Sequence, residues 1–289
     1  MDDPAALDTY RTLRAGMVAA GILLGLGLIG YIVGSGWRVP GSISATFYTD
    51  VRSIFVSTLL AVGLALVAVK GRQGLENTLL DVAGVLIPVV AFVPTPIADP
   101  TCASARDCVP PDLHPAIALA MGAYLGMGLV GLVVAWGRLA WAARTHTPWT
   151  VSSVRGMVAL TALLAVYTGA FLFARPFFIQ YAHYTSAITF FLLLVIAVWI
   201  NSRNPPGATA LGSMSALAYR RVYRIIAIAM VAAVGIGVVV FAATGSQNAV
   251  VGDRFPAVFW IEVVLLALFV TYWVFQTIEL WYVTQPPTP

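Results

Sequence analysis

Residues 42–60 read SISATFYTDVRSIFVSTLL. The second half is as apolar as a membrane span, while the first half sets Tyr48, Asp50 and Arg52 at its mouth. A helix that opens on charge and then runs free of it raises two expectations. The chain around it is solvated by lipid, and the charged end has a use.

Composition supports the first expectation. Of 289 residues, 60% are hydrophobic and 10% are charged, against about 25% charged in an ordinary soluble domain. The formal charge of +4 comes from 16 basic and 12 acidic residues, with Lys70 the sole lysine. The arginines are scattered between apolar runs, which is no footprint for nucleic acid. A retinal-type lysine is excluded, because Lys70 lies at the edge of a run. No phosphate-binding glycine loop, dinucleotide fingerprint or GxSxG elbow occurs.

Eight apolar segments can be cut at charged or Pro/Gly-rich boundaries: 13–34, 52–70, 78–96, 114–138, 154–174, 183–201, 222–244 and 255–281. Each approaches the roughly 17–25 residues that a helix needs to cross a hydrocarbon core. Unbroken apolar runs argue for helices, since barrel strands would alternate. The expected fold is therefore all-α, a polytopic bundle of about eight spans forming one integral membrane domain over 1–289. The first run lacks a small-residue cleavage site and is read as a retained span.

With the N-terminus inside, the cytoplasmic segments carry Arg11, Arg14, Lys70, Arg72, Arg138, Arg144, Arg155, Arg203, Arg220, Arg221 and Arg224. The other side carries Arg38, Arg52, Arg106, Arg175 and Arg254. Eleven against five favours N-in and C-in by the positive-inside rule and points to the plasma membrane. Segment 97–113 becomes an exterior loop and 202–219 a cytoplasmic connector. The only cysteines, Cys102 and Cys108, fall in the exterior loop, where an oxidising compartment favours a disulfide between them. Glycines at four-residue spacing (Gly21 and Gly25, Gly30 and Gly34, Gly122 and Gly126) are expected to let helices of the bundle approach closely.

Charge within a span demands a reason. Glu262 lies eight residues past Arg254, about 12 Å along a helix, too deep for its short stem to reach the interface. It is expected to face the interior with a partner. His183 is read as opening the sixth span and His114 the fourth. Arg52, Asp50, His183 and Glu262 then share one depth on the exterior side. Asp81 and Glu279 are read as interfacial.

The segments SISATFYTDVRSIFVS (42–57), AGVLIPVVAFVPT (83–95), AHYTSAITFF (182–191), RRVYRIIAIAM (220–230) and FWIEVVLLALFVTYWVF (259–275) follow one another in an order that resembles bacterial multi-pass proteins similar to the Frag1/DRAM/Sfk1 family. The resemblance covers spans one to three and six to eight. Ser53 replaces an Asn of that pattern, and 114–174 reads as an addition to six helices. What it implies is membrane-lipid handling, with Ser44, Tyr48, Arg52, His183 and Glu262 as matched positions and no reaction.

The functional expectation is an outward-facing polar pocket that binds a lipid headgroup or a small polar or anionic ligand. Arg52, Glu262, His183, Tyr48, Asp50 and Ser44 would line it. Membrane lipids are the expected partners, with no nucleic acid, no cofactor and no catalytic residue. Two alternatives stay open: a small-solute or proton-coupled transporter, and a metal-dependent intramembrane lipid hydrolase built on His114, His183 and Glu262.

Overall fold

The computed structural model describes residues 4–69, 74–102, 107–145, 151–203, 214–244, 250–251 and 255–281. Among them are eight α-helices: α1 (Pro4–Gly34), α2 (Arg52–Ala68), α3 (Gly74–Phe92), α4 (His114–Arg144), α5 (Val151–Phe173), α6 (Arg175–Arg203), α7 (Ala216–Thr244) and α8 (Ala257–Leu280). Seven are long and apolar enough to cross a membrane; α2, at 17 residues, is the short one. In lipid a helix satisfies its own backbone, which is why apolar runs take this form. A two-residue antiparallel pair, Val250–Val251 with Phe255–Pro256, joins α7 to α8.

Several helices differ from the apolar runs at their ends. The third stops at Phe92 rather than residue 96. Pro94 and Pro96 lack amide hydrogens and push their predecessors out of the helical region. The chain beyond is non-helical as far as Ile97, which exchanges two backbone hydrogen bonds with Cys108. Pro88 is accommodated inside α3. The sixth helix starts at Arg175, after a single non-helical residue, Ala174. His183 therefore sits two turns inside α6 instead of opening it. The first begins at Pro4, which carries Arg11 and Arg14 into the helix.

Six helices close a ring in the order α1, α2, α3, α6, α7, α8 and back to α1; α5 packs outside it on α3 and α6, and α4 on α5 and α3. The ring is filled by fully buried Met17, Leu66, Leu194, Tyr223, Tyr272 and Trp273. A second cluster, with Val89, Met121, Leu125 and Phe178, seats α4 and α5. A third, with Leu28, Ile43, Phe47, Phe55 and Phe259, closes one end. Lipid tails remove the hydrophobic drive between helices, so close packing must hold them. Helices α2 and α3 come within reach of each other's backbone. A Cβ built on Gly63 would lie 2.8 Å from the Gly84 carbonyl oxygen, and one on Gly84 would lie 2.7 Å from that of Gly63.

That pair corrects the glycine expectation. Gly21 does meet α8, at Val270, but Gly25, Gly30, Gly34, Gly122 and Gly126 face open space. Cys102 and Cys108 form a disulfide with their Cα atoms 5.9 Å apart. It marks one end of the bundle, called here the disulfide end. Lys70, Arg72, Arg106, Arg254 and most of the 202–219 connector lie outside the described residues.

Candidate functional site

The disulfide end is built from the start of α8. Phe259 donates its backbone N–H to the Gly41 carbonyl at 3.1 Å. One turn on, the Glu262 carboxylate accepts hydrogen bonds from the backbone N–H of Ile43, from that of Ser44 (3.3 Å) and from the Ser44 hydroxyl (3.2 Å). These donors open a 3-10 turn, Ser44–Tyr48. The first amides of any helical turn have no partner within it, and a carboxylate placed there satisfies both their hydrogens and their positive end. Here the capping group comes from another helix, 218 residues away. Glu262 thus ties the 41–48 segment to α8.

The far end of the turn is tied to α3 and α6. Tyr48 donates its hydroxyl to the Thr95 carbonyl at 2.8 Å. Burial raises the Tyr48 phenol far above its ordinary value, so it remains a neutral donor. His183, 1% exposed, places Nδ1 2.7 Å from the Val93 carbonyl. A carbonyl only accepts, so Nδ1 carries the hydrogen. Residues 93–95 are therefore clamped between the turn and α6.

This rigid frame presents Phe47, Asp50 and Arg52. Arg52, exposed at the first position of α2, holds its guanidinium 4.0 Å from the centre of the Phe47 ring, a cation–π arrangement that orients the fork without using its hydrogens. Asp50, Arg52 and Ser53 form the polar rim of a cavity of about 520 Å³ whose deeper walls include Phe47, Val56, Phe92 and Ile117.

The six residues expected in one pocket therefore fall into three places. Asp50 and Arg52 share the rim. Ser44 and Glu262 meet each other on the opposite side of the turn, at a separate cavity of about 110 Å³ inside the ring, walled by Phe55, Thr58, Phe190 and Phe269. Tyr48 and His183 bind backbone carbonyls. The partners of Glu262 are neutral donors from 43–44, not Arg52 or His183. The physical reason is that amides at the start of the 3-10 turn have no partner within it and supply the hydrogens the carboxylate needs. His114 places Nε2 3.0 Å from the Val109 carbonyl. Among the described residues no three His, Cys, Asp or Glu side chains gather to hold a metal.

A second polar cluster, absent from the expectations, lies at the other end. Glu279 is 17 residues beyond Glu262 on α8, about 25 Å along the axis, and is buried among the helices. It accepts from the Tyr223 hydroxyl at 2.6 Å. Arg14, 2% exposed, donates to Gln276 Oε1 at 2.6 Å and to the Tyr10 hydroxyl, and its guanidinium lies 4.4 Å from the Tyr10 ring centre and 5.4 Å from that of Trp273. Gln276 donates in turn to Tyr272, and Asn201 bridges Tyr272 to buried Glu76 at 2.8 and 2.7 Å. This network joins α1, α3, α6, α7 and α8 and fixes their register. Its sequence signal is helical spacing: Tyr10 with Arg14, Tyr219 with Tyr223, and Tyr272, Gln276 and Glu279 on one face of α8.

No protein-family model, curated protein or solved structure matches this chain.

Proposed function

We propose that this protein binds a membrane phospholipid by its headgroup at the disulfide end, in the outward-facing orientation that the arginine distribution favours. Arg52 is the contact for the phosphate. The observation that carries this reading is an exposed guanidinium, seated on Phe47, at the rim of a 520 Å³ cavity that turns apolar below it. A guanidinium pairs with a phosphate through two parallel charge-assisted bonds. Asp50 on the same rim supplies a carboxylate for an ammonium, so a phosphoethanolamine head fits better than a phosphoglycerol head.

Ser44, Tyr48, His183 and Glu262 are positioning residues in this reading: they hold the turn and the 93–95 tail that frame the rim. The lipid-handling role implied by the resemblance to the Frag1/DRAM/Sfk1 group agrees with it. The test is native mass spectrometry of the detergent-purified protein with added dioleoyl phosphatidylethanolamine or phosphatidylglycerol. Arg52→Ala should weaken binding of both about tenfold, corresponding to ~1.4 kcal/mol. Asp50→Asn should remove the preference for ethanolamine. Equal binding by wild type and Arg52→Ala would overturn the proposal.

A further inference from the structure

The 520 Å³ cavity does not end at its apolar walls. A cavity of about 780 Å³ begins where it stops, and the two share Phe92 and Ala120 as lining residues. The lining positions continue in helical step on each wall. On α2 they run 52, 53, 56 and then 60, 63, 64 and 67. On α4 they run 116, 117, 120 and then 123, 127, 131 and 135. Phe92, Pro88 and Gly84 of α3 form the back. We infer that these are one groove, and that it holds an acyl chain of the phospholipid whose head sits at Arg52. This inference rests on the headgroup reading above.

Three observations select that occupant. The first is length. From Arg52 to Val67 is 15 residues, about 22 Å of helix rise, and half of a bilayer with its headgroups is about 20–22 Å. A groove with its cation at the top and hydrocarbon walls below it is therefore about as long as one lipid from headgroup to chain end. The second is chemistry. Tyr124 is the polar side chain of the deeper cavity, and its hydroxyl already donates to the Val85 carbonyl at 2.7 Å. A space so lined offers water no partners. The third is shape. Gly131, whose missing side chain faces open space, and small Ala123 leave the floor hollow while Leu64 and Met127, 72% and 64% exposed, flank its mouth. Each of the two parts, about 520 and 780 Å³, lies within the roughly 300–1,000 Å³ usual for sites that hold a small molecule.

The experiment uses the full chain in vesicles of dioleoyl phosphatidylglycerol containing a small fraction of phosphatidylethanolamine with a diazirine near the end of one acyl chain. After irradiation, adducts are mapped by peptide mass spectrometry. Peptides carrying Leu64, Met127 and Gly131 should be labelled at least fivefold above those carrying Val239, which is 66% exposed on α7 and reports ordinary boundary lipid. Ala123→Trp should cut the groove labelling at least fivefold and leave the Val239 labelling unchanged; Gly131→Leu serves if the tryptophan variant does not fold. Groove labelling that is strong in wild type and unchanged by Arg52→Ala would keep the chain site and remove the headgroup reading. Labelling of Met127 no higher than that of Val239, with Arg52→Ala still impaired in lipid binding, would overturn the groove alone. A chain-to-chain cross-link through α4 would also overturn it, by showing a second copy in the lipid's place.

Discussion

Replacing Glu262 by Ala removes the acceptor of three hydrogen bonds at once. The Ser44 hydroxyl can turn elsewhere, but the amides of buried Ile43 and Ser44 cannot. A buried donor left without a partner costs about 1–3 kcal/mol, so Glu262→Ala should destabilise the protein by about 2–5 kcal/mol. Glu262→Gln keeps one carbonyl oxygen of the same reach and loses the charge, which sets its cost nearer ~1–2 kcal/mol. The loss is local, because α8 keeps its own backbone bonds. Hydrogen exchange in detergent micelles should therefore show the 41–48 peptides opening in both variants, faster in Ala than in Gln, while the ring interior stays protected. Phosphatidylethanolamine binding should fall as well, since Phe47 no longer holds Arg52 over the rim. Exchange at 41–48 identical to wild type, with unfolding shifted by less than ~0.5 kcal/mol, would refute the capping argument.

Other expectations follow from the packing and from the opposite end. Gln276→Leu leaves the Arg14 guanidinium without its amide acceptor and should cost about 1.5–3 kcal/mol; adding Arg14→Met should recover most of that in a thermal melt, because removing both polar partners is far cheaper than removing one. Gly63→Ala drives a methyl into the Gly84 carbonyl and should destabilise by about 1–3 kcal/mol, whereas Gly122→Ala, in open space, should be neutral or stabilising by up to ~1 kcal/mol. Replacing Cys102 and Cys108 by Ser opens a short loop and should cost about 2 kcal/mol in reversible unfolding. In intact cells, a membrane-impermeant maleimide should label those cysteines only after reduction and from outside; labelling confined to inverted vesicles would reverse the assigned orientation.

The helices were legible because lipid imposes a simple demand, a run of apolar residues near 20 long, and the chain meets it with few ambiguities. Their ends were less so. Arg11 and Arg14 look like flanking charge until α1 is seen to start at Pro4, where the Arg14 guanidinium lies over Tyr10 and Trp273 and donates to Gln276. The burial of Glu279 was not readable, because depth along a helix says nothing about which way a side chain turns. The disulfide was readable from an even cysteine count in one loop. The division of Arg52 from Glu262 was not, since a common depth in the membrane leaves lateral position open, and a five-residue turn was enough to set them on different faces. Tyr48 and His183 stand out as polar groups where few occur, yet their partners are backbone carbonyls of a tail that exists because Pro94 and Pro96 end α3 early.

The most direct measurement is an electron-microscopy map of the protein in phosphatidylethanolamine nanodiscs. The account predicts elongated density that begins at the Arg52 guanidinium and descends between α2 and α4 past Met127 toward Val67. A groove closed by α4 resting on α2, or density that bypasses Arg52, would contradict it.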